Sequence, residues 1–161
     1  NMNDAMIKRL AENDGVIMIN YGSAFLTEKA NQYGPKRDSA WEIYQSGIHN
    51  PNEDSMPKNR NEFEKNYALE NPYPYATLNE TLDHFDHVIK ITGSVNHVGI
   101  GSDYDGVGDT LPEGLKDVST YPALIKGFLD RGYSEEDIKK ILSENLLRVW
   151  RDVEAVARNS N

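Results

Sequence analysis

Two short runs decide what this chain can fold into. Val16-Ile17-Met18-Ile19-Asn20 is apolar up to its last residue, and His97-Val98-Gly99-Ile100-Gly101-Ser102 is β-branched and glycine-spaced. Neither alternates apolar with polar. A strand without alternation is buried on both faces, as in a parallel sheet covered by helices. The second run stops abruptly at Asp103-Tyr104-Asp105-Gly106. A buried strand thus delivers carboxylates to one end of a sheet, where ligand sites gather in β/α architectures. Asp103 is the leading candidate for a catalytic group.

The rest of the pattern is largely helical. Asn3 or Asp4 can cap a helix carrying Met6, Ile7 and Leu10 on one face, stopped by Asn13-Asp14-Gly15. Thr77-Leu78-Asn79-Glu80 has capping-box spacing. The helix behind it runs to Thr92, with Leu78, Leu82, Phe85 and Ile89 inward and Gly93 as C-cap. A strand over 97–102 follows, then a helix from Val118 to Asp130, another from Ser134, and a last one from Ser143. That last helix is read with Leu146, Val149, Trp150, Val153 and Val156 inward. The alternation of helix and buried strand argues for α/β architecture with parallel units, within one domain of 161 residues. Two strands cannot close a sheet, so further strands are expected either in a missing part of the protein or in a partner.

Residues 27–74 change character, with Gly34-Pro35, Asn50-Pro51 and Asn71-Pro72 as breakers. The segment reads as a long surface insertion with helical pieces over Ser39–Gln45 and Asn59–Leu69. Trp41, Tyr44, Phe63 and Tyr67 are read as pinning it to the body, and a substrate lid is the alternative.

A net charge of −9 argues against nucleic acid as partner, because binding phosphates needs basic patches. No apolar run is long enough to span a bilayer, and no signal peptide is visible. The absence of cysteine excludes disulfides and thiolate zinc sites within the chain. With Asn1 leading and a helix starting at once, the sequence reads either as a trimmed chain or as the C-terminal piece of a longer protein.

Asp103 at a strand end could take a proton from water, ligate a metal or hold a substrate amine. If the strand continues that far, Asp105 points the same way, although a turn role suits it better. An EF-hand alignment of the loop fails, since Val107 and Gly114 occupy positions that need oxygen ligands. His84 and His87 share a helix face but lack zincin order, and satisfied structural histidines are the better reading, with backbone or carboxylate partners, Asp83 or Asp86 among the candidates. His97 and His49 are read as structural or exposed. No phosphate loop, nucleophile elbow or dinucleotide fingerprint is present.

The motifs His97 to Gly106, Leu115-Lys-Asp-Val-Ser-Thr-Tyr-Pro122 and Asn145-Leu-Leu-Arg-Val149 resemble the renal or membrane dipeptidase family of zinc metallopeptidases, family M19. His84-Phe-Asp-His87, Asn1-Met-Asn-Asp4 and Val16 to Asn20 agree with it. The likeness covers residues 1–26 and 75–157, with 27–74 outside it. It implies that 1–161 is the C-terminal part of a (β/α)8 TIM-type barrel of the metal-dependent hydrolase kind, holding about its last two strands. It implies dipeptide substrates and two zinc ions, whose ligands lie on earlier strands absent from this chain. The arginine that the family uses for the substrate carboxylate would precede Asn1. Asp103 then matches the acid beside the bridging water, while Asn20, Tyr21 and Phe25 face the substrate, Phe25 standing where the family often has tyrosine. A homodimer is among the assemblies the resemblance allows. Other amidohydrolase-type barrels, or a non-catalytic module derived from one, are the competing readings. The motifs at 115–122 and 145–149 weigh against the former.

Overall fold

The computed structural model describes residues 1–47, 57 and 59–159; His49 and the Asn50-Pro51 breaker lie outside the described residues. The chain runs α1 (Asp4–Glu12), β1 (Ile17–Ile19), α2 (Ser23–Leu26), α3 (Glu28–Asn31), α4 (Tyr33–Gln45) and α5 (Arg60–Glu70). It continues with α6 (Leu78–Thr92), β2 (Val98–Ile100), α7 (Tyr121–Asp130), α8 (Glu135–Lys139) and α9 (Asn145–Asn159). Short 3-10 turns precede β2 and α7, and a π turn, Lys140–Glu144, leads into α9. The two strands pair in parallel, with Ile17 opposite Val98 and Ile19 opposite Ile100. Their carboxyl ends therefore share one rim.

Local chemistry explains the elements. The Asn3 side chain accepts from the Met6 N–H at 3.0 Å and starts α1. Thr77 and Glu80 form a reciprocal capping box on α6, and Gly93 ends it at φ +73°. Leu82, Phe85 and Val88 of α6 are buried. Phe85 meets Phe128 of α7 edge to face at 5.1 Å. Gly127 permits that approach, because a Cβ there would stand 2.5 Å from Leu82 Cδ1.

The amino-terminal side of the sheet is tied by polar groups. Buried Asn145 donates to the carbonyls of Val95 at 2.6 Å and Val98 at 2.9 Å. Arg148 donates to the carbonyls of Asp14 at 2.8 Å and Asn96 at 3.0 Å. The His97 Nδ1–H bonds the Gly15 carbonyl at 2.9 Å, so this histidine is structural.

Four expectations change. Each strand is three residues long, because the chain before β2 coils into a 3-10 turn and the chain after it bends away. The helix placed over Ser39–Gln45 starts at Tyr33 and runs through Gly34-Pro35. Proline is tolerated there because first-turn N–H groups have no intrahelical acceptor. Among the described residues, the ring contacts of Trp41, Tyr44, Phe63 and Tyr67 are with one another and with Tyr33, not with the body. They join α4 to α5, with Trp41–Phe63 at 5.2 Å and Phe63–Tyr67 at 6.0 Å. A ladder Tyr33–Tyr73–Tyr75, at 5.0 and 4.9 Å, carries the connection back to the body. Last, the α9 stripe faces outward: Leu146, Trp150, Val153 and Val156 are 40, 61, 63 and 67% exposed. Its period is helical as read, but the described residues do not cover that face.

Candidate active site

The loops leaving the two strands are stitched together at the carboxyl rim. The N–H of Gly101 donates to the Ile19 carbonyl at 3.0 Å, and that of Tyr21 to the Ser102 carbonyl at 3.3 Å. The Ser23 N–H reaches the Thr110 carbonyl at 2.9 Å, and the buried Ser23 hydroxyl accepts from the Ala76 N–H at 3.0 Å. Residues 20–23 and 101–110 are thus one unit, although they lie far apart in sequence.

Asp103 stands exposed on this rim. Its backbone is left-handed at φ +60°, a region that aspartate enters more readily than most residues. Its carbonyl accepts the Gly106 N–H at 3.1 Å, closing a turn. The side chain folds over that turn, so a Cβ at Gly106 would fall 2.2 Å from Asp103 Oδ1. The Asn20 Nδ2 donates to Asp103 Oδ2 at 2.8 Å. Asn20 Oδ1 in turn accepts the Gly22 N–H at 2.7 Å. A backbone N–H can only donate, so this contact fixes which way the amide points. An exposed, oriented carboxylate of this kind can accept a proton and hand it on.

The other candidates separate. Asn20 and Phe25, the latter 48% exposed, line a cavity of about 430 Å³ beside β1 with Met18, Leu26 and His84. Tyr21 turns into the core and away from the open rim. It is fully buried, and its hydroxyl has no hydrogen-bond partner among the described residues. Its ring meets Tyr104 edge to face at 6.0 Å. Burial, then the neighbouring Tyr121 and Tyr104, push its phenol well above the ordinary range. Asp105 does not share a direction with Asp103 by strand period, because β2 ends at Ile100 and a turn intervenes.

Both histidines of α6 have hydrogen-bond partners within the chain. The His84 Nε2–H bonds the Leu26 carbonyl and His87 Nε2 pairs with Asp4 Oδ1, each at 2.8 Å. One partner is a backbone carbonyl and the other a carboxylate, as expected, but the carboxylate is Asp4; Asp83 and Asp86 bracket Arg131. Among the described residues, no three His, Asp or Glu side chains converge as a metal-binding group. These residues alone do not fit a zinc pair.

Two supports of the loop escaped sequence reasoning. Gly106 reads as an ordinary turn glycine, and only the fold shows the carboxylate lying over it. At the far end of the loop, Asp109 accepts from Lys116 at 3.0 Å and from the Tyr75 hydroxyl at 3.1 Å. Lys116 Nζ also sits 3.7 Å from the Tyr75 ring centroid. Lys116 first, then Tyr75, hold the Asp109 carboxyl below its usual range. No short-range pattern flags a trio drawn from separate segments.

Comparison with known proteins is consistent across sequence and structure. The family model for membrane dipeptidase, peptidase family M19, matches residues 1–161, a range that includes 27–74. Human Dipeptidase 3 is 49% identical over 85 residues, 53% of this chain and 17% of that protein. Mouse Dipeptidase 3 is 48% identical over 86 residues, again 53% and 17%. The probable dipeptidase PvdM from Pseudomonas aeruginosa superposes with a TM-score of 0.67 at 26% identity, over 93% of this chain and 40% of its own. Dipeptidase AC, a family M19 metallopeptidase, gives 0.57 at 25% identity, over 91% and 30%. The chain therefore spans well under two thirds of each of these relatives.

Proposed function

The chain belongs to the membrane dipeptidase family, peptidase family M19, and from that premise we propose that it is the C-terminal portion of a zinc-dependent dipeptidase with a (β/α)8 barrel. Residues 1–161 form one segment of that barrel domain, with 27–74 as an insertion in it. In this reading β1 and β2 are neighbouring barrel strands, and the missing strands and metal ligands come from other polypeptide. The described residues assemble no metal group of their own.

The reaction is hydrolysis of a dipeptide. Water oxygen bonds to the scissile carbonyl carbon, the C–N bond breaks, and the products are two amino acids. Asp103 takes the proton released by the water and returns it to the departing amine. The observation that supports this role is position: Asp103 is exposed at the carboxyl rim of a parallel pair, and Asn20 anchors one of its two oxygens. The exposed ring of Phe25 is the surface this chain offers to the substrate's side chains.

The test is Asp103→Asn in the full-length polypeptide, read by release of free amino acid from a dipeptide. Turnover should fall by roughly a hundredfold or more, with metal content unchanged. Near-normal turnover would remove Asp103 from the reaction.

A further inference from the structure

We infer that Asn20 is a positioning residue for Asp103, not a contact to substrate. This rests on the reading of Asp103 as the proton-transferring acid. Both halves of the Asn20 amide are already engaged within the chain. Its Oδ1 takes the Gly22 N–H at 2.7 Å and its Nδ2 gives a hydrogen to Asp103 Oδ2 at 2.8 Å. The first bond belongs to the turn that ends β1, so the backbone sets the amide's orientation. The second passes that orientation to a carboxylate on the neighbouring loop.

The turn at Gly22 is closely packed. A Cβ at Gly22 would stand 3.2 Å from Asn20 Oδ1, 3.1 Å from Val107 Cγ1 and 3.0 Å from Phe25 Cδ2. Side chains from both loops therefore crowd this turn. On the other side, Gly106 gives the Asp103 carboxylate a seat that any Cβ would fill. The acid is thus held at two points, by a donor on Oδ2 and by the bare backbone beneath Oδ1. Oδ2 carries the Asn20 hydrogen bond, and Oδ1 lies over Gly106. Such an arrangement keeps an exposed carboxylate in a single pose, which is where supporting residues contribute to rate.

Kinetics separates the two roles. In the full-length enzyme, Asn20→Ala should lower kcat by roughly tenfold or more while KM stays within about twofold. In an Asp103→Asn background the same change should cost nothing further. Asn20→Asp keeps the acceptor for Gly22 but loses the donor, and should fall at least as far as alanine. A raised KM with kcat retained would restore a substrate contact and overturn the inference, as would losses that simply multiply.

A second measurement does not depend on activity. In the full-length polypeptide, the Asn20 side-chain amide signal in a proton–nitrogen NMR spectrum should shift on Asp103→Asn. An unmoved signal overturns the positioning role, whatever the turnover. A moved signal with full turnover in Asp103→Asn instead overturns the reading of Asp103 as the acid, and with it the kinetic consequence of the bond.

Discussion

Gly106 and Asn145 show how single atoms hold this rim and the opposite side of the sheet. Gly106 does not carry a positive φ, so alanine can adopt its backbone conformation. The three atoms nearest an added Cβ all belong to the Asp103 carboxyl group, the closest at 2.2 Å. Gly106→Ala should change the unfolding free energy by less than about 1 kcal/mol, yet cut dipeptide turnover in the full-length protein by roughly tenfold or more. Thermal melts and initial rates on the same preparation check both halves. Asn145 is different, because its amide satisfies two main-chain carbonyls while itself buried. Asn145→Ala leaves both acceptors without their donor and should destabilise the fold by about 2–4 kcal/mol. Urea unfolding at neutral pH reads this directly.

At the scale of elements, α6 is the beam that separates the strands in sequence and supports them in space. Its cap is pH-dependent. Burial pushes the Glu80 carboxyl up, but hydrogen bonds from Thr77 and Lys29 outweigh it, and the net position is below 4.5. A carboxylate lowered by folding adds stability above its unfolded value, and that stability is lost as pH falls through the folded one. The cap should therefore weaken progressively below about pH 4.5. Glu80→Gln should be less stable at neutrality and show a flatter acid limb, in melts taken between about pH 7 and pH 3. This helix was legible in the sequence because its signals are local: Thr77, Glu80 and Gly93 act within a few residues of themselves. The strands were legible by their unbroken apolar character, and the position of Asp103 by its place after one of them. What was not legible depends on distance. Tyr21 sits one residue after Asn20 yet turns into the core, because Tyr104 from the other loop packs against it. The aromatics of α4 and α5 found each other instead of the body, a choice that periodicity alone does not encode.

On the scale of the whole molecule, the outward face of α9 is the largest departure from the sequence reading. Leu146, Trp150, Val153 and Val156 form an apolar stripe at helical spacing, and all four are exposed. Contiguous apolar surface of this kind drives association in water. Sedimentation of the 161-residue chain should show concentration-dependent self-association, and Trp150→Glu with Val153→Glu should shift it toward monomer. A monomer at all concentrations, melting sharply, would contradict this. The hydrogen bond between Asn20 and Asp103 joins residues 83 positions apart, which bears on folding order. During synthesis the first half of this rim emerges long before the second, and its amide waits in water for a mate. Contacts of such long range close late, after local helices have formed. Helical content should therefore be a poor gauge of competence in a newly made chain: most of the secondary structure can be in place while the rim is still two separate loops.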